Sequence, residues 1–277
     1  MNSRQILVLS GSALLGAAIY FAPHKGGDEN QQPAATSVAA NPEFDHQLEA
    51  VKKETDVKAL ASVEFFESRL KLAKGNEKVM WLDSLTSVWD RNMRPGIAAE
   101  YSGKKAELTG SGKDWLEAGE RFLGLSRFFE DQDKQALAVR ALTFLEKAHE
   151  IDSTSLKVRT QLGIAYVDGS AEPMKGIMLL RGVVAEDSTN VDAQLSLGFF
   201  SMQSGQFDKA EKRFRTVLNL KPDLTTVRLY LSDALSGEGK NKEALTELNI
   251  AKASIAANDT LLLKETESRI QRIRSSN

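Results

Sequence analysis

Residues 191–224 read VDAQLSLGFFSMQSGQFDKAEKRFRTVLNLKPDL. Large apolar side chains recur at helical spacing on both sides of Gly205, with Leu197 and Phe199 before it and Phe214, Val217 and Leu220 after it. That period reads as two helices, and Pro222 stops the second. The small residues Gly198 and Ala210 let two antiparallel helices approach closely, while Leu197 and Phe214 fill the space between them. The stretch therefore predicts a helical hairpin turned at Gly205.

The pattern recurs on either side. Residues 156–190 carry Leu162, Gly163 and Tyr166, then Gly176, Leu180 and Val183, with a residue added in the turn GSAEP. Residues 225–258 carry Leu231, Ser232, Leu235, Gly239, Ala244, Leu248 and Ala251. Upstream, Trp115-x-x-Ala118-Gly119-x-x-Phe122 opens a hairpin closed by RALTFLEKAHEID, with Ala141, Leu145 and Ala148 at the packing positions. The extra residues between these two parts predict a first helix that runs past Phe128 and Phe129, which would then need cover from a neighbour. Glu77 to Leu108 is a degenerate version, with Leu82, Leu85 and Trp89, then Pro95 and Ala98.

A near-34-residue period with an L-G pair in the first helix, Ala and Phe in the second, and a closing Pro resembles the tetratricopeptide repeat. The match is good at Leu197, Gly198, Ala210, Phe214 and Pro222; Ser201 stands where an aromatic is usual. The resemblance implies an all-α chain, a right-handed α-solenoid of stacked hairpins with about five repeats over residues 77–258, whose first helices line a peptide-binding groove. Residues 44–76 then form an N-terminal helical region that docks on the first repeat, with a break at Thr55–Asp56. Residues 259–277 supply a capping helix that buries Leu262, Ile270 and Ile273 and keeps Lys264, Glu265, Glu267 and Arg272 wet.

Composition narrows the function. A net charge of −2 at pH 7 gives no electrostatic reason to expect nucleic acid. The absence of cysteine excludes disulfides, thiolate nucleophiles and zinc ribbons. The three histidines, His24, His46 and His149, lie in unrelated segments, which argues against a histidine metal site or catalytic dyad. No phosphate-binding loop, nucleophile elbow or H-E-x-x-H occurs, and Gly237-Glu238-Gly239 falls in an inter-helix turn, where it reads as turn chemistry. Asp152-Ser153-Thr154-Ser155 and Asp187-Ser188-Thr189-Asn190 sit between repeats and read as helix N-caps. No metal, cofactor or enzymatic activity is expected.

The N-terminus has a different character. Ile6 to Ala22 is free of charge over 17 residues, short for a spanning helix and long for the apolar core of a signal peptide. Both readings insert residues 1–23 in a membrane. An uncleaved anchor is preferred, because Tyr20 and Pro23 disfavour cleavage after Ala22, although cleavage after Ala18 is chemically feasible. Arg4 and the terminal amine favour an N-in orientation. Residues 24–43 lack large apolar side chains and read as a tether, about 20 residues able to span at most roughly 70 Å.

The candidate site is the groove. Leu195, Phe199 and Met202 share one face of their helix at i, i+4 and i+7. Their counterparts are Thr160, Ile164 and Val167 in the preceding repeat, and Leu229 and Asp233 in the following one. Together they predict a partly apolar groove for an extended or helical peptide, unless the chain's own tail fills it. The family's carboxylate-clamp variety uses Lys, Asn and Arg at positions that here hold Thr160, Ile164, Ser196, Thr226 and Tyr230, so that function is not implied. The leading reading is a single-pass bacterial inner-membrane protein whose periplasmic solenoid binds a protein or peptide partner. The alternatives are a periplasmic chaperone-like helper of secretion or envelope assembly, and a structural protein that forms homo-oligomers through Phe44–Lys74 or Phe128–Phe129.

Overall fold

A computed structural model describes residues 42–129, 131–169, 172–256 and 258–275. The segment expected to enter a membrane, residues 6–22, lies outside these. Among the described residues no helix is long and apolar enough to cross a membrane. The described residues form thirteen helices and no strand. Helix α1 (Pro42–Glu54) begins two residues earlier than expected, with Pro42 at its first position, where the missing N–H costs nothing. Asp56 breaks it from α2 (Val57–Leu72) by accepting bonds from the N–H groups of Lys58 and Ala59. The next ten helices are α3 (Asn76–Arg91), α4 (Pro95–Thr109), α5 (Gly112–Ser126), α6 (Asp131–Ile151), α7 (Leu156–Gly169), α8 (Pro173–Glu186), α9 (Val191–Gln203), α10 (Phe207–Leu220), α11 (Thr225–Gly237) and α12 (Asn241–Ser254). Helix α13 (Thr260–Ser275) ends the chain.

Helices α3 to α12 pair as five consecutive hairpins, and the second helix of each packs on the first of the next. First helices also meet across hairpins, α5 with α7 and α7 with α9. At the chain's ends, α1 packs on α4, α2 on α3, and α13 on α12. The small residue of each first helix explains the tight pairing. A Cβ added at Gly119 would stand 2.5 Å from Leu145, one at Gly163 2.8 Å from Leu180, and one at Gly198 2.6 Å from Phe214. The fifth hairpin has Ser232 there instead, buried, with its hydroxyl donating to the Leu229 carbonyl at 2.6 Å. Opposite them Ala141, Gly176, Ala210 and Ala244 are buried on the second helices.

The turns follow their chemistry. Gly205 and Gly239 adopt φ of 70° and 77°, which L side chains rarely take. Gly237 lies against the Phe207 ring, so the G-x-G is a turn and a packing contact. Between hairpins, Asp152 accepts from the N–H groups of Thr154 and Ser155, and Asp187 from that of Thr189. The helix caps proper are the last residues of those segments. Ser155 Oγ accepts from the Val158 N–H and Asn190 Oδ1 from the Ala193 N–H. The Thr154 and Thr189 hydroxyls hold the two aspartates below the ordinary carboxylate range.

One expectation is corrected. Helix α5 does not run past Phe128; it ends at Ser126, whose hydroxyl donates to the Leu123 carbonyl. The extra residues lengthen α6 to 21 residues. The added turn of α6 finds a partner there. Gln135 Nε2 donates to the Gly169 carbonyl at 2.6 Å, and Ala138 packs where a Cβ on Gly169 would stand. Phe128 is left 84% exposed.

The core is divided along the stack. Phe44, Val63, Leu85 and Trp89 belong to a cluster over α1 to α4, Phe122, Phe144 and Leu180 to one over α4 to α9, and Phe214, Leu231 and Leu248 to one over α10 to α13. The hairpins are also stapled by charge. Lys105 Nζ on α4, its side chain 9% exposed, contacts Asp83 of α3 at 2.9 Å and Asp114 and Glu117 of α5 at 3.2 and 3.0 Å.

Candidate functional site

The face built by the first helices changes character along the stack. At the first hairpin it is an open cleft of about 730 Å³ with Phe66 of α2 and Val79 and Met80 of α3 as its apolar lining, beside Asp83, Ser84, Ser87 and Arg91. At the second, Glu120 of α5 pairs with Lys157 of α7 at 2.9 Å. Between α7 and α9 lies a cleft of about 390 Å³ whose lining is mixed. Ile164 and Val167 on α7 and Leu195, Phe199 and Phe200 on α9 are its apolar part, and Gln161, Asp192, Ser196, Arg127, Asp168 and Gln203 its polar part. Asp168 feels desolvation by the surrounding packing, which raises its carboxyl above the usual range against the pull of Arg127 and Lys134.

The structure thus brings together Ile164, Val167, Leu195 and Phe199 of the expected residues and places the others elsewhere. Thr160 is buried, and its hydroxyl donates to the Leu156 carbonyl at 2.7 Å. It sits under the Asn190 cap, facing helix rather than ligand. Leu229 is buried in the last core cluster. Met202 packs on that same cluster. Phe199 is half-buried, its ring edge-on to Tyr230 at 4.6 Å and to Phe214 at 5.5 Å, so it is both a cleft wall and part of the packing between hairpins. Asp233 is taken by the tail: Arg269 of α13 reaches it at 3.2 Å. Desolvation raises the Asp233 carboxyl, opposed by Arg269. The terminal helix therefore closes the face at the fifth hairpin and contributes nothing to the α7–α9 cleft, whose lining comes from residues 127–203.

The cleft at the first hairpin was missed in the sequence because that repeat is degenerate. The signal was present in the spacing of Met80, Asp83, Ser87 and Arg91 on one side of α3. Among the described residues no group of three or more His, Cys, Asp or Glu could hold a metal ion.

No protein-family model matches the chain, and no curated protein matches it. Solved structures do. MamA 41-end from Desulfovibrio magneticus RS-1 is 16% identical and aligns over 68% of this chain and 100% of its own, with a TM-score of 0.53. A second MamA protein is 20% identical over 65% of this chain and 93% of its own, with a TM-score of 0.50. YrrB, described as a TPR protein with an unusual peptide-binding site, is 17% identical over 74% of this chain and 99% of its own, with a TM-score of 0.49. These likenesses are of fold. The deciding observation is the repeated small-on-large contact, Gly119 on Leu145, Gly163 on Leu180 and Gly198 on Phe214, at the same place in successive hairpins. The chain has the tetratricopeptide-repeat fold. In this tetratricopeptide-repeat solenoid the first-helix face carries two clefts with apolar lining, one at the first hairpin and one between the third and fourth.

Proposed function

We propose that the protein is a non-enzymatic interaction scaffold, tethered to the bacterial inner membrane by residues 6–22 with its solenoid in the periplasm, that holds a protein or peptide partner in the α7–α9 cleft. The observation that carries this is the cleft itself. It sets the apolar side chains of Ile164, Val167, Leu195, Phe199 and Phe200 beside polar ones, and the chain's own tail docks one hairpin away instead of filling it. Apolar clefts with a few polar groups at the edge are the usual setting for peptide anchors. Along α9 the apolar lining runs from Leu195 to Phe200, about 7 Å at ~1.5 Å per residue. That suits one turn of a helical partner or three residues of an extended one.

The test is photocrosslinking in intact cells. A photoreactive residue replaces Ser196, which lines the cleft without belonging to the core, and a control replaces Lys212, whose side chain is 78% exposed on α10. A protein band at position 196 alone is the expected result and identifies the partner. Crosslinks from 196 only to the same chain, or equal crosslinking at 212, refute the cleft as a recognition site. A metal- or nucleotide-dependent activity of the purified protein would overturn the scaffold reading.

A further inference from the structure

The two ends of the stack are finished differently. Helix α13 turns Lys264, Glu265 and Glu267 to solvent, the polar backing that a solenoid's end needs. Helix α2, at the other end, exposes Val57, Phe65 and Leu72 by 83, 47 and 77%. Steps of eight and seven residues are close to two helical turns each, so these three side chains lie along one side of the helix. An apolar row on a terminal helix is covered by something in the working protein.

The charges around the row indicate what covers it. Lys58, Arg69 and Lys71 of α2 are exposed, as is Lys74 in the link that follows, and the Arg69 guanidinium stands 5.1 Å over the Phe65 ring. Glu64 is the only exposed acid on α2. This basic surface belongs to a chain whose net charge is −2. An apolar row flanked by Lys and Arg is the pattern of a helix that lies in a bilayer interface, where anionic headgroups attract the cations. A second copy would set this predominantly basic surface against itself. The helix also belongs to the end of the stack that follows residues 6–22 in the chain. With the domain held near the bilayer by the proposed anchor, its effective concentration there is high and a weak contact suffices.

We propose that the outer face of α2 docks on an anionic phospholipid surface, through Val57, Phe65 and Leu72 and the basic residues beside them. The inference rests on the membrane tether of the proposed function and adds that the solenoid lies against the bilayer instead of ranging freely from it.

The test uses residues 42–277. They form a compact unit of their own, and the core clusters of the described residues lie within it. The fragment is sedimented with phosphatidylcholine vesicles with and without phosphatidylglycerol. Binding is expected only with phosphatidylglycerol, weakening as salt rises, and falling by about tenfold or more in Leu72→Glu and in Lys58→Glu/Lys71→Glu. Both changes are at exposed positions, and an unaltered circular dichroism spectrum checks the fold. Absence of phosphatidylglycerol-dependent binding overturns the inference. So does a dimer of the fragment that Leu72→Glu dissociates without any vesicle binding, which would assign the face to a second copy. The tether is tested separately by membrane fractionation of the full chain, so either idea can fail alone.

Discussion

Gly198→Ala is the sharpest probe of how the hairpins are built. The new methyl carbon would stand 2.6 Å from one Phe214 ring carbon and 3.1 Å from two others. Ordinary contact begins near 3.4 Å, so the ring must move by about 1 Å. It has little room: Phe214 is fully buried, with the Phe199 and Tyr230 rings centred 5.5 and 6.1 Å away. Overpacking of this kind costs about 1–3 kcal/mol. Replacing glycine inside a helix returns about 1 kcal/mol of propensity. The expected net effect is a loss of about 1 kcal/mol, the difference of these two terms. Gly182→Ala on α8 is the control. It lies mid-helix, exposed, with nothing within 4 Å of the added Cβ, and gains about 0.5–1 kcal/mol. Urea unfolding followed by circular dichroism measures both. Phe214→Leu completes a double-mutant cycle: alone it costs about 1–3 kcal/mol, and in the Gly198→Ala background it costs less, because the methyl enters the vacated space. The reasoning fails if Gly198→Ala stabilises as Gly182→Ala does, or if Phe214→Leu costs the same in both backgrounds.

Two further outcomes follow from the charges. Lys105→Ala leaves Asp83, Asp114 and Glu117 facing one another. Burial lowers the Lys105 ammonium, but its bonds to Asp83 and Glu117 outweigh this and hold it above the ordinary lysine value. Removing one partner of a buried network costs about 3–5 kcal/mol, reduced here to about 2–3 because Asp83 is half exposed and Glu117 keeps Arg121. A urea midpoint shift worth less than about 1 kcal/mol would show that the staple is dispensable. Glu211 gives the pH dependence. Burial raises its carboxyl, yet Lys240 and Arg215, both at 2.7 Å, hold it down to about 2. A depressed carboxyl contributes stability above its unfolded value, near ~4.3, and loses it as pH falls toward about 2. Melting temperature should therefore fall more steeply over that interval in the wild type than in Glu211→Gln; parallel profiles would remove Glu211 from the acid transition.

The hairpins were readable because each is specified locally. Gly198 and Phe214 lie within one repeat, and the meaning of a glycine facing a phenylalanine at that spacing does not depend on the rest of the chain. The same holds for the break at Asp56 and the turn at Gly205. The end of α5 was less legible. Nothing in residues 123–131 says which helix receives the extra length; Ala138 and Gln135 decide it through Gly169, a residue of the next hairpin. The groove was legible in part. Periodicity placed Leu195 and Phe199 on one side of α9 but could not tell a wall open to solvent from one covered by a neighbour. Phe199 meets Tyr230 and Asp233 is occupied by Arg269, each through a partner more than thirty residues away, and Leu229 sinks into the last core.

The sequence by itself determined the repeat, its length, its small-on-large register and the absence of cysteine chemistry, because these depend on residues within a few turns of one another. Only the tertiary structure decided which stretch of the first-helix face stays open. That depends on what stacks beside each helix: Glu120 with Lys157 bridges the second hairpin to the third, α13 closes the fifth, and clefts remain at the first hairpin and between α7 and α9. Stacking sums weak contacts between surfaces far apart in the chain, and no local pattern of side chains carries that sum.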